Sequence, residues 1–206
     1  MDGAFVRNRM RQLARQHPAP DDIYKLACSM LEEGEELFRI YFYDCQPYSG
    51  QTTHPVTGKS LDLCSTTTYR ERQLFFDAVA KKNHIAFRRG ELTFRGWRLK
   101  RWVTQDLIAS GRGIQEDDLE LDLQQKGVDM KIGLDVAWLS TKGIVDRIIL
   151  CTGDSDFVPA MKFARREGVQ VVLVHLGARI KDALVEHADE VRHVPYPPAD
   201  VTPSSP

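Results

Sequence analysis

The chain has 206 residues, 42% hydrophobic and 28% charged, the balance of one globular domain and not of a disordered segment. Lys and Arg number 28 against 29 Asp and Glu, so a net charge of -1 excludes nucleic-acid binding by bulk charge and leaves it to local patches. No apolar run approaches the ~18 residues of a membrane span, and the start, MDGAFVRN, lacks a signal-peptide core. Cys28, Cys45, Cys64 and Cys151 have the spacing of neither a zinc site nor a disulfide framework. A soluble cytoplasmic protein with reduced thiols is the expectation.

A first helix is expected over Phe5–Gln16. A doubly wound sheet has a central strand leading into its first helix, and almost nothing precedes this one. The start of the domain is therefore expected upstream of Met1. Leu37–Tyr43, LFRIYFY, reads as a strand that ends at Asp44. Residues 45–67, with Pro47, Gly50, Pro55 and Gly58, read as a long loop. Tyr69–Asn83 carries Leu74, Phe75, Ala78 and Val79 at helical spacing. Residues 84–103 read as one or two strands with a turn near Gly96. Five acids fall in Glu116–Asp122, and QQKGVDMKIGLDVAWLS then reads as an amphipathic helix striped by Val128, Ile132, Val136 and Leu139.

The later segments are clearer. Val145–Cys151, VDRIILC, is a short β-branched run with the mark of a buried strand. Phe157–Glu167 follows at helical spacing, Gly168 suits a helix end, and Val169–Leu176 is a second buried strand. Strand, helix and strand make a right-handed βαβ unit and imply a parallel sheet. A helix over Ile180–His187 and a strand over Glu190–Val194 complete an α/β domain of residues 1–194, with an insertion over about 45–125. The Pro- and Ser-rich tail 195–206 is expected to be disordered.

The sharpest motif is TGDSDF at 152–157, directly after VDRIILC. Ligands of open α/β sheets bind outside the carboxyl ends of the strands, which is where Asp154 and Asp156 fall. One acid there is an ordinary helix cap; two beside Gly153 favour a site. KGVD at 126–129 sets Asp129 at a helix start. Asp135 lies six residues on and points about 120° away from it, so the two are not expected to share an ion. Asp2 precedes Gly3 at a strand-to-helix turn, and Asp44 ends its strand on the same rim. Histidines 54, 84, 175 and 187 are scattered. A phosphatase reading of the haloacid dehalogenase type fails at Gln46, and again at the two-residue spacing of Asp154 and Asp156.

MDGAFVRN, YFYDCQPY, GELTFRGW, ELDLQQKGVDMKIGLDVAWL and CTGDSDFVPAMKFARREGV together resemble the NYN domain of the PIN-like nuclease group, over about residues 2–190. The resemblance implies a PIN-like open parallel sheet with helices on both faces, and a metal-dependent ribonuclease. It assigns the catalytic and metal-ligating acids to Asp2, Asp129, Asp154 and Asp156. Many relatives carry Asn three residues after the first acid; Phe5 stands there in this chain. Hard oxygen ligands select Mg²⁺ or Mn²⁺, and two such ions ~3.5–4 Å apart can flank attacking and leaving oxygens.

The segment FRRGELTFRGWRLKRW at 87–102 offers Arg88, Arg89, Arg95, Arg98 and Arg101 for RNA phosphates, with Phe87, Phe94, Trp97 and Trp102 interleaved. Its alternative is a strand pair with one face in the core and one in water. Single-stranded RNA is the expected partner, with a homo-oligomer left open and no membrane. The competing reading is a non-catalytic RNA- or protein-binding module on the same fold.

Overall fold

The computed structural model describes residues 1–198. In chain order the elements begin with α1 (Gly3–Ala14), α2 (Pro20–Ser29), β1 (Ile40–Cys45), β2 (Gln51–Thr53), β3 (Ser60–Asp62) and α3 (Thr67–Ala80). There follow β4 (Ile85–Leu99), α4 (Val103–Ser110), β5 (Leu119–Lys126), α5 (Val128–Thr141) and β6 (Arg147–Cys151). The chain closes with α6 (Val158–Arg166), β7 (Gln170–Val174), α7 (Asp182–Glu186) and β8 (Glu190–Arg192).

These strands form two three-stranded sheets, β1-β4-β5 and β6-β7-β8, with β2 and β3 as a separate hairpin. The second sheet is parallel throughout, and β1 is parallel to the first part of β4. β5 runs antiparallel to the outer part of β4, so the sheet expected to be purely parallel is mixed. β1 and β6 face each other without a direct ladder, and Met1 and Asp2 lie between them. The Met1 amino group donates to Tyr41 O (2.9 Å), Tyr43 N to Met1 O (3.1 Å) and Asp2 N to Cys151 O (3.0 Å). Toward the amino ends of the two strands a cleft of about 1010 Å³ continues this line, walled by Ile40, Tyr41, Ile148, Ile149 and Leu139.

Each helix is held by its apolar face. Val6 and Met10 of α1, Ile23 and Leu26 of α2 and Phe76 and Val79 of α3 pack with Phe42 of β1 in one core. Val128, Ile132 and Val136 of α5 join Phe157, Met161 and Leu173 in a second, on the stripe read from the sequence. Gly3 is required where α1 meets β1: a Cβ there would stand 2.6 Å from Tyr43 O.

Three expectations are corrected. The loop 45–67 contains the β2–β3 hairpin, whose three-residue strands are too short to show a period. Residues 85–99 are one strand, with a bulge between Phe94 and Gly96 instead of a turn. Residues 119–126, divided in the sequence between an acidic cluster and a helix start, are strand β5, and the helix begins at Val128. At the carboxyl end, Tyr196 packs on the core. The rest of the expected disordered tail, 199–206, lies outside the described residues.

An ion network fastens β8. Arg192 is buried and donates to Glu35 (2.8 Å) and Glu190 (2.6 Å), and Arg147 also reaches Glu35. The Arg192 guanidinium is the main cause that lowers the Glu35 carboxyl from 4.5 to about 2. Its contribution to stability is therefore complete above about pH 4.5 and is lost as pH falls toward 2. Glu35→Gln should lower stability at pH 7 by roughly 1.5–3 kcal/mol and flatten the acid limb of a urea-midpoint profile. An unchanged acid limb would remove Glu35 as its source.

Candidate functional site

Asp44 sits one residue from the end of β1, Asp154 follows β6 by three residues, and Asp2 lies between them. Asp129 opens α5. Asp2 caps α1, its Oδ1 accepting from Phe5 N at 3.1 Å. Thr152, fully buried, links two of the acids: its hydroxyl donates to Asp2 Oδ2 (3.3 Å) and accepts from Asp154 N (3.2 Å). Asp154 in turn accepts from Asp156 N at 3.0 Å and so caps the short helical turn that carries Asp156. Gly153 leaves room for a neighbour, because a Cβ there would stand 2.8 Å from the Phe5 ring. Phe5 is a packing residue, partly buried against the core.

Electrostatics separate these acids into two kinds. Burial raises the pKa of Asp129, and the charges of Asp154 and Asp156 raise it further. Burial also raises Asp2, partly offset by the Phe5 N–H, and the acid whose charge reaches it is Asp44. Asp129, Asp154 and Asp156 are thus brought within reach of one another. Asp2 stands on the other side of Thr152, beside Asp44. Among the described residues, no Lys or Arg forms an ion pair with Asp2, Asp129, Asp154 or Asp156. Asp44 and Asp135 differ sharply. Asp44 is buried against Arg7 Nε at 2.6 Å, while Asp135 holds Arg88 Nε (3.0 Å) and accepts from the Tyr43 hydroxyl (2.8 Å).

A hydrated hard cation suits the four unneutralised carboxylates in donor type and charge. Among the described residues, no three His, Cys, Asp or Glu side chains are gathered into a ready cage. Mg²⁺ takes one or two carboxylates directly and keeps several waters, so a closed cage is not required.

The basic segment is divided in its commitments. Arg88 is held by Asp135, Arg98 by Glu120 (2.9 Å) and Asp122 (3.7 Å), and Arg89 lies 3.7 Å from Asp77. Arg95 and Arg101 make no ion pair among the described residues. Phe87 packs on Phe42 and Phe76, Phe94 stacks on Tyr48, and Trp97 meets His54 edge-on, while Trp102 is exposed. Three of the four aromatics are therefore engaged in packing. Sequence reasoning missed Thr152, Arg7 and Arg72. Thr152 lay inside a quoted motif, but its role depends on a partner 150 positions away.

The family model of the NYN domain matches residues 73–195. No curated protein matches the chain. Among solved structures the chain is similar to a protein of unknown function from Vibrio parahaemolyticus, with 16% identity and a TM-score of 0.48, over 92% of this chain and 86% of that one. No helix of the described residues is long and apolar enough to cross a membrane.

The raised Asp129 predicts a signature in the metal-free protein. The repulsion is complete above the raised pKa and fades as pH falls through it, because the folded state holds that proton more tightly than the unfolded chain. Asp129→Asn in EDTA should therefore raise the melting temperature at pH 7, with the gain shrinking toward pH 4. A gain equal at both pH values would show that charge is not its source.

Proposed function

The chain belongs to the NYN domain family, a PIN-like nuclease group, and on that premise we propose that it is a divalent-metal-dependent ribonuclease that hydrolyses phosphodiester bonds in single-stranded RNA. One observation carries the reading. At the rim of the sheets, arginines pair with Asp44 and Asp135, while Asp2, Asp129, Asp154 and Asp156 have no Lys or Arg ion-pair partner among the described residues. A purely structural role would not require Asp154 and Asp156 to raise the proton affinity of Asp129.

Asp129, Asp154 and Asp156 would hold Mg²⁺ or Mn²⁺, with Asp2 alongside across Thr152. An ion held there would supply neutralisation of charge on phosphate oxygens and a lowered pKa for a water. The protein's own part is to fix the acids in place. Asp154 is oriented by the Asp156 N–H, Asp2 by the Thr152 hydroxyl and Phe5 N–H, and Asp129 by the first turn of α5. Arg95 on β4 and Arg101 just beyond its end would offer positive charge to the RNA backbone, and Arg89 would first have to leave Asp77. Arg88 and Arg98 would have to leave their carboxylates to do the same.

Asp154→Asn preserves size and the cap while removing charge, so the fold should survive. Hydrolysis of labelled single-stranded RNA with Mn²⁺ or Mg²⁺ should fall by about two orders of magnitude or more, the scale of a lost electrostatic contribution at a reacting centre. EDTA should abolish cleavage by the wild type. Equal cleavage in EDTA would sink the metal-dependent reading. Binding without cleavage in both metals would leave the non-catalytic RNA-binding module.

A further inference from the structure

The rim carries a second feature that the carboxylates do not use. Arg7, on the second turn of α1, is mostly buried and spends its Nε on Asp44; its two terminal nitrogens make no hydrogen bond among the described residues. Its guanidinium lies over the Phe76 ring, 5.5 Å from the centroid. One turn before Phe76 on α3 stands Arg72, half-buried. Because α3 feeds β4, which runs parallel to β1, its early turns lie level with the carboxyl end of β1. Arg72 makes neither an ion pair nor a hydrogen bond among the described residues. Arg72 thus stands one helical turn from the ring that Arg7 covers, within reach of the charges of Arg7 and Asp44, and Asp44 lies next to Asp2.

We infer that Arg7 and Arg72 form a subsite for one backbone phosphate of single-stranded RNA, immediately beside the carboxylate rim. The inference deepens the ribonuclease reading and rests on it for the identity of the ligand. A phosphate oxygen pair matches the planar donors of a guanidinium, and two such groups can share one phosphate. The charge state of Arg72 fits this assignment. Burial lowers its pKa, and the neighbouring charge of Arg7 lowers it further, while Asp44 offsets only part of the cost. An arriving anion would relieve both. Placed here, a phosphate of the strand is anchored next to the acids. They could then act on a neighbouring linkage that this anchor positions and does not itself neutralise.

The test is anisotropy of a labelled single-stranded RNA over a KCl series, in EDTA so that nothing is cleaved, for wild type, Arg72→Gln and Arg72→Lys. Arg72→Gln should weaken binding several-fold at low salt and reduce the log–log salt slope by about 0.7, the contribution of one phosphate contact on a single strand. Arg72→Lys should keep the slope. Arg72→Met, which retains the stem and drops the charge, takes the place of the Gln variant if that variant melts early. An Arg72→Gln slope equal to wild type overturns the subsite while leaving the ribonuclease reading intact. An Arg72-dependent slope in a protein that never cleaves with Mg²⁺ or Mn²⁺ does the reverse. A wild type that shows no salt-dependent RNA binding overturns the subsite outright.

Discussion

Two residues carry the backbone link between the two sheets. Met1 and Asp2 are the only backbone that hydrogen-bonds to both β1 and β6 among the described residues, through Tyr41, Tyr43 and Cys151. Everything at the rim follows from that contact. It brings Asp2 beside Thr152, it sets the first turn of α1 against β1 closely enough that Gly3 cannot carry a Cβ, and it directs Arg7 onto Asp44. The cleft between the strand edges is bounded both by apolar side chains such as Ile40 and Ile149 and by charged ones, among them Glu35, Arg39, Asp146 and Arg147.

The rim also shows how one class of side chain is given opposite tasks by its neighbours. Asp44 and Asp135 are carboxylates near strand ends or on a helix, as are Asp154 and Asp129. Arg7 and Arg88 convert the first two into fixed structural pairs. A buried carboxylate without such a partner would be costly, so the arginine is the condition under which Asp44 can be fully covered. Asp129, Asp154 and Asp156 remain exposed, where water supports their charge and an arriving cation can reach them.

Much of this was legible in the sequence, for identifiable reasons. VDRIILC and VQVVLVHL are continuous apolar runs, and a strand covered on both faces requires such a run; the structure places β6 and β7 within them. The acids of TGDSDF stood out because glycine and paired carboxylates are an uneconomical way to cap one turn. What escaped depended on distance or on competing patterns. Arg7 and Asp44 are 37 positions apart, and Arg88 and Asp135 are 47, so no local spacing announces either pair. In β5 the alternation of Leu119, Leu121 and Leu123 with Glu120, Asp122 and Gln124 was present, but the density of acids concealed its period of two. Gly96 suggested a turn because glycine marks turns and bulges alike.

A net charge of -1 conceals the arrangement that matters, which is the separation of charge along one edge. On the β6 and α5 side lie acids without ion-pair partners among the described residues; on the β1 and α3 side two guanidinium groups outnumber the carboxylate between them. An RNA backbone is negative along its whole length, so the acidic side alone would repel it. A cation on those acids would remove that repulsion and add to the attraction of the guanidinium side. Under the ribonuclease reading, metal and strand therefore support each other's binding: each lowers the electrostatic cost that the other meets. The coupling is reciprocal by thermodynamic necessity, so whatever affinity the metal adds to the strand, the strand adds to the metal.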